Sequence, residues 1–178
     1  LATSSPYQNI VQDLTVDVMQ NYSACIKKIC EVTSKLGKKL VIKLHPQPDE
    51  LDLTDIVKKI DSRIIVVKAG DISPLIKSCE VFISTDISTT MLEAQILKKP
   101  VISFPTRNHL GIPKIMDSCL SATIDNFEDM LMQILTDKKF KQKYIERGIE
   151  FSENYLLKIG HASKNLLDFL DDNPIINK

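Results

Sequence analysis

The chain has 178 residues, the size of one ordinary domain, and is 43% apolar and 26% charged. Those values match globular averages and exclude a disordered or collagen-like chain. Lys plus Arg and Asp plus Glu both number 23. A general nucleic-acid or anionic-membrane binder, which carries a basic excess, is therefore disfavoured. With no Trp, 6 Phe and 4 Tyr, the chain also lacks a base-stacking platform for single strands.

Leu1 to Ser4, followed by Ser5-Pro6, reads as a clipped strand. From Val16 to Leu36, Val18, Met19, Tyr22, Cys25, Ile26, Ile29, Cys30 and Val32 recur at three- and four-residue steps, an amphipathic helix that Gly37 ends. Lys39 to Leu44 is a strand stopped by His45-Pro46-Gln47-Pro48, since two prolines forbid a continuing ladder. Leu51 to Ile60 is a second helix, with Ile56, Val57 and Ile60 facing inward, and Arg63 to Ala69 a second strand. Asp71 to Ser78 is a short helix with Pro74 in its first turn, where a missing N–H costs little. Glu80 to Thr85 and Val101 to Phe104 are strands flanking a helix from Ser88 to Leu97. A loop runs to about Cys119, a last strand spans Leu120 to Ile124, and helices cover Asn126 to Leu135, Lys138 to Glu150 and Ser163 to Leu170.

Near-continuous apolar strands alternating with helices predict an α/β, Rossmann-like, doubly wound parallel sheet of about five to six strands with a helical C-terminal tail. Residues 1–178 read as a single domain, and the opening Leu1 suggests one excised from a longer chain. Cys25, Cys30, Cys79 and Cys119 show no C-x-x-C or zinc spacing and read as free thiols. No metal site is expected. No apolar run reaches the roughly 18 residues that span a bilayer, and no signal peptide opens the chain, so a cytoplasmic location is expected.

In an open parallel sheet, ligands bind beyond the carboxyl ends of the strands. The unusual residues of this sequence fall at those ends: His45-Pro46, Ala69-Gly70-Asp71, Thr85 to Thr90 and Pro105 to His109. Neither G-x-G-x-x-G nor a Walker lysine motif occurs, which disfavours dinucleotide binding and P-loop chemistry. The N–H groups of Ser88, Thr89 and Thr90 at a helix start, with the Ser88 and Thr90 hydroxyls, suit an anion. The competing reading is a capping box, Thr90-x-x-Glu93. His45 is held extended by Pro46, which projects its ring over the ligand edge; taken alone it is a surface histidine. Arg107 offers a planar fork to phosphate oxygens. Lys43 and Lys68 read as sheet-edge or snorkelling residues, and Met91, Met116, Met130 and Met132 as core filler. No Ser-His-Asp order or H-E-x-x-H appears.

Taken in order, K-L-V-I-K-L-H-P, then D-I-S-P-L-I-K-S-C-E-V-F-I-S-T, then S-T-T-M-L-E-A-Q-I-L-K-K-P-V-I-S-F resembles the C-terminal half of GT-B type glycosyltransferases. The branch it most resembles makes surface or capsular polysaccharide and shares a His-Pro motif with CDP-glycerol glycerophosphotransferases and several sialyltransferases. The tail from Phe151 to Leu170 is similar to that branch's C-terminal end. The resemblance implies a nucleotide-sugar donor linked to UDP or to CMP or CDP, with no other cofactor. His45 would meet the donor phosphate as the catalytic group, and Ser88, Thr89 and Thr90 would hold phosphate oxygens. Glu93 would accept from ribose hydroxyls, and the Ala69 to Ile72 turn, with Gly70 and Ile72, would lie beside the base; Arg107, nominated by its own chemistry, is a further candidate at the phosphates.

A glycine pair precedes the hydroxyl run in many UDP-sugar transferases; here Asp86-Ile87 stands in its place. The resemblance further implies a missing N-terminal acceptor-binding half, little turnover from this polypeptide alone, and a location in the cytoplasm or peripheral to the inner face of the membrane. A glycerophosphotransferase-like domain, a UDP-N-acetylglucosamine 2-epimerase-like domain and a non-catalytic flavodoxin-like module are the alternatives.

Overall fold

The computed structural model describes residues 1–3, 16–46, 52–106, 114–156 and 160–172. The chain order is α1 (Val16–Lys35), β1 (Val41–Lys43), α2 (Thr54–Ile60), β2 (Ile65–Val67), α3 (Ser73–Ser78), β3 (Phe82–Thr85), α4 (Thr89–Ile96), β4 (Val101–Phe104), β5 (Leu120–Ser121), α5 (Phe127–Thr136), α6 (Lys138–Tyr155) and α7 (Ala162–Asp172). A 3₁₀ turn, Lys114–Ser118, precedes β5 within the stretch expected to be loop.

All strand pairs are parallel: β1 with β2, β3 with β4, and β4 with β5. The two groups meet through Leu1–Thr3, where Ala2 bridges Lys43 on one side and Ser84 on the other. Ala2 N–H donates to Ile83 O at 2.9 Å, and Thr85 N–H to Ala2 O at 3.1 Å. Thr3 N–H donates to Lys43 O at 3.0 Å. The spatial order is thus β2, β1, Leu1–Thr3, β3, β4, β5. This is the doubly wound arrangement, and the order of connection reverses beside Leu1–Thr3.

Two apolar layers cover the sheet. On one face α1, α2 and α5 bring Tyr22, Ile26, Ile29, Val57, Phe127 and Leu131 against Ile42, Ile83, Ile102 and Phe104. On the other, α3 and α4 bring Ile76, Met91 and Ala94 against Ala2, Phe82 and Val101. Period-two alternation along β3 and β4 explains this division. It also turns Ser84 and Ser103, register partners, towards the second face, where both hydroxyls are buried without a hydrogen-bond partner. Gly148 lets α6 lie close on α4, since a Cβ there would stand 2.8 Å from Gln95 Cγ.

Several expectations need correction. Ile56 is exposed, because α2 packs through Val57. Met132 is also exposed, so it is not core filler. Strand β5 stops at Ser121, short of the expected Ile124: Ala122 N–H makes a last bond to Ser103 O at 2.8 Å, and the chain then turns, with Thr123 N–H donating to Asn126 Oδ1 at 2.7 Å. Lys43, expected at an edge or snorkelling, is 7% exposed. The apolar side chains Leu166, Leu167 and Phe169 of α7 are exposed.

All four cysteines are free thiols. Burial pushes Cys25, Cys30 and Cys119 up to about 12, from an ordinary value of 9.0. An acid whose folded pKa is raised contributes stability that is complete below its unfolded value and is lost as pH climbs towards the folded one. Stability should therefore decline from about pH 9 upward. Alkylation at pH 8, followed by mass spectrometry, should label half-buried Cys79 first and the other three at the rate of unfolding. Early labelling of Cys25 or Cys30 would contradict this packing.

Candidate functional site at the carboxyl rim of the sheet

The segments that follow β1, β2, β3 and β4 gather at one rim. His45 follows β1 by two residues, is half-buried, and its backbone N–H donates to Thr3 Oγ1 at 3.2 Å. Leu44 N–H still bonds Val67 O at 3.0 Å, so the chain stays in the ladder up to the histidine. Two strands over, β3 leads through Asp86 and Ile87 into α4. His45 and the start of α4 are therefore separated by two inter-strand spacings, about 10 Å at the backbone. Both rise from the rim beside the reversal point.

Ser88 caps α4. Its extended backbone (φ −143°, ψ 148°) and its Oγ, which accepts from Thr90 N–H at 3.3 Å, define the cap. The expected box from Thr90 to Glu93 is thus corrected: Thr90 lies inside the helix and Glu93 is exposed, since the chain turns helical one residue earlier, at Thr89. The Ser88 and Thr90 hydroxyls share a hydrogen bond at 2.9 Å. The N–H groups at Ser88 and Thr89 have no intrahelical acceptor, as at any helix start, and point out of the rim with the positive end of the helix dipole.

Beyond β2, Gly70 adopts φ +93° with open space around it, a turn that a side chain would strain. Asp71 accepts from Ser73 N–H and Oγ, at 3.0 and 2.9 Å, and these bonds hold its carboxyl below the usual range. Ile72 packs on the second apolar layer. Arg107 lies outside the described residues.

The sequence reading missed Asp86. It is 3% exposed and left-handed, with φ 60°. Its Oδ1 accepts from Thr106 N–H at 2.7 Å, its Oδ2 accepts from Thr106 Oγ1, and its own N–H donates to Phe104 O at 3.1 Å. The turn before α4 is thereby tied to the chain leaving β4, one residue ahead of Arg107. Where many UDP-sugar transferases place a glycine pair, this chain keeps the conformation that favours glycine and adds a carboxylate lock. The available signal was an Asp between strand end and cap, one of the few side chains that tolerate positive φ.

A cavity of about 470 Å³ runs along β1 and β3 beside α3; Leu1, Leu40, Cys79 and Val81 line it, and Lys43 and Ile72 line it near the rim. Among the described residues no three His, Cys, Asp or Glu side chains gather as metal ligands, and no helix is long and apolar enough to cross a membrane.

Comparison with known proteins adds two findings. Among solved structures, the C-terminal domain of a group 1 glycosyl transferase from Francisella tularensis superposes with a TM-score of 0.61 at 15% identity, over 89% of this chain and 84% of that one. UDP-GlcNAc 2-epimerase from Neisseria meningitidis, bound to UDP-GlcNAc, gives 0.60 at 19% identity, over 85% and 41%. The UDP co-structure of MnaA from S. aureus gives 0.58 at 16%, over 93% and 44%. This chain thus spans less than half of the epimerase and of MnaA. At these identities the likeness establishes the fold, that of a GT-B Rossmann-like C-terminal domain. No curated protein sequence matches the chain. A family profile does match, over residues 26–121, from the middle of α1 to the end of β5, and takes in His45, Gly70, Asp86, Ser88 to Thr90 and Glu93. The chain belongs to the LIC12162 family of transferases.

Proposed function

We propose that this chain is the donor-binding half of a glycosyltransferase that makes a surface polysaccharide and uses a nucleotide-activated sugar. The observation that carries the reading is the common rim: His45 and the Ser88-capped start of α4 follow β1 and β3, which flank Leu1–Thr3 two strand spacings apart. A diphosphate placed between them receives N–H donors from Ser88 and Thr89, the Thr90 hydroxyl, and the His45 imidazole. As the bond at the anomeric carbon breaks, negative charge grows on the departing phosphate oxygens, and fixed donors aimed there lower the barrier. Glu93, on the exposed side of α4, is assigned to ribose hydroxyls, the Gly70–Ile72 turn to the base, and Arg107 to the phosphates. A UDP-linked donor is favoured because two structures of this fold carry UDP-GlcNAc or UDP. The acceptor and a preceding half complete the enzyme, so the chain alone turns over little.

A melting series with UDP, CMP, CDP and GDP tests this reading. Saturating the preferred nucleotide at a hundred times its Kd adds about 2.7 kcal/mol of stability. In calorimetric titration His45→Ala should weaken that nucleotide about tenfold or more, the scale of one hydrogen bond to a charged group, and more than Arg107→Ala does. Equal affinity in His45→Ala and parent removes the histidine from the site. No nucleotide effect on melting leaves a flavodoxin-like binding module.

A further inference from the structure

Lys43 is the buried cation for which neither the fold nor the site above accounts. It closes β1, is 7% exposed, and lies opposite Ile42 and Leu44, whose side chains belong to the layer under α1 and α2. Period-two alternation therefore sends Lys43 to the α3 side and returns His45 to that same side two residues later. The lysine chain climbs towards the rim. Its Nζ donates to Leu44 O at 3.0 Å and Lys68 O at 3.4 Å, the carbonyls one residue beyond β1 and β2.

Both acceptors are neutral, and among the described residues no carboxylate lies within ion-pair distance of this ammonium. By contrast the exposed Lys68, at the end of β2, has Asp52. Burying a cation is costly unless a counter-charge joins it, and two carbonyl dipoles replace lost hydration only in part. An ammonium carries three donors, so one remains. A neutral amide would cap the same two carbonyls without burying charge.

We propose that Lys43 is an anion contact of the rim: its third N–H holds a phosphate oxygen of the bound ligand from below, on the His45 side. This rests on the diphosphate reading given above and deepens it. The start of α4 serves one end of the anion, whereas His45 and Lys43 together serve the end some two strand spacings away. The proposal adds a binding residue and requires no bond to form or break.

The test titrates inorganic pyrophosphate and UDP into the parent chain and into Lys43→Gln by calorimetry, with the melting of both followed without ligand. Glutamine still reaches the two carbonyls but brings no charge. The expected result is a loss of about tenfold or more in pyrophosphate and UDP affinity, the scale of one charged hydrogen bond, with melting of the free variant equal to the parent's or higher. Parent-like affinity in Lys43→Gln overturns the proposal and leaves a ladder cap. Should that variant not fold, the ¹⁵Nζ resonance of Lys43 in the labelled parent gives the answer: a shift on adding pyrophosphate supports contact, and an unmoved signal overturns it. The two readings fail separately. A parent that binds pyrophosphate as tightly as UDP refutes nucleotide recognition while the lysine comparison stands; a parent that binds neither refutes both.

Discussion

Replacing Asp86 by alanine should destabilise the fold by about 3 kcal/mol and loosen the proposed nucleotide binding at the same time. Two losses combine. Thr106, itself 3% exposed, would keep a buried N–H with no acceptor, which costs about 1–3 kcal/mol. Alanine would also have to hold φ 60°, a left-handed conformation that costs roughly 1–2 kcal/mol outside glycine, Asn and Asp. Asp86→Asn keeps an acceptor and a side chain suited to that conformation, so it should lose about 1 kcal/mol. Asp86→Gly relaxes the backbone but frees the β4 exit, so its stability should lie between the two while its nucleotide affinity falls with alanine's. Urea unfolding at constant m gives the stabilities, and titration of the same variants gives affinity. An alanine variant within about 0.5 kcal/mol of the parent would show that the lock holds nothing.

Phe104→Ala should have the larger effect on stability, about 3–5 kcal/mol. Phe104 ends β4 at 1% exposure, and its ring centroid lies 5.5 Å from that of Phe127 in a tilted pair. Truncation opens a cavity where the sheet, α1 and α5 meet, and removes the ring contact that docks α5. Phe104→Leu keeps most of the volume and should cost about 1.5 kcal/mol or less. For a domain whose total stability is about 5–15 kcal/mol, the alanine change approaches the margin of folding. A midpoint shift in urea equal for Phe104→Ala and Phe104→Leu would mean that the ring pair contributes nothing of its own.

Strands β1 to β4 were legible because each is a short β-branched run closed by turn residues, and the crossover helices because Pro74, Ser88 and Gly37 mark their ends. Even Leu1–Thr3 reads as strand from three residues. What escaped was set by partners far along the chain. Asp86 and Thr106 are twenty positions apart, and a positive φ leaves no periodic trace. Lys43 looked like an edge residue because Leu40, Ile42 and Leu44 form the evident apolar face; only the assembled sheet shows that α3 and the end of β2 cover the opposite one. Thr90 and Glu93 satisfied a capping pattern that the chain does not use, since Ser88 was an equally good cap two positions earlier. The rim itself was legible from strand ends alone. Arg107 lies outside the described residues.

The three residues Leu1–Thr3 join two groups of strands that share no ladder of their own. Their contacts reach about forty residues along the chain on one side and about eighty on the other. The β1–β2 and β3–β4 units close over much shorter loops, and closure entropy rises with loop length, so the central seam belongs to the late, rate-limiting part of assembly. Substitutions at Ala2 should then register chiefly as slower refolding, and the rim on which His45 and the start of α4 stand comes into being only when that seam zips.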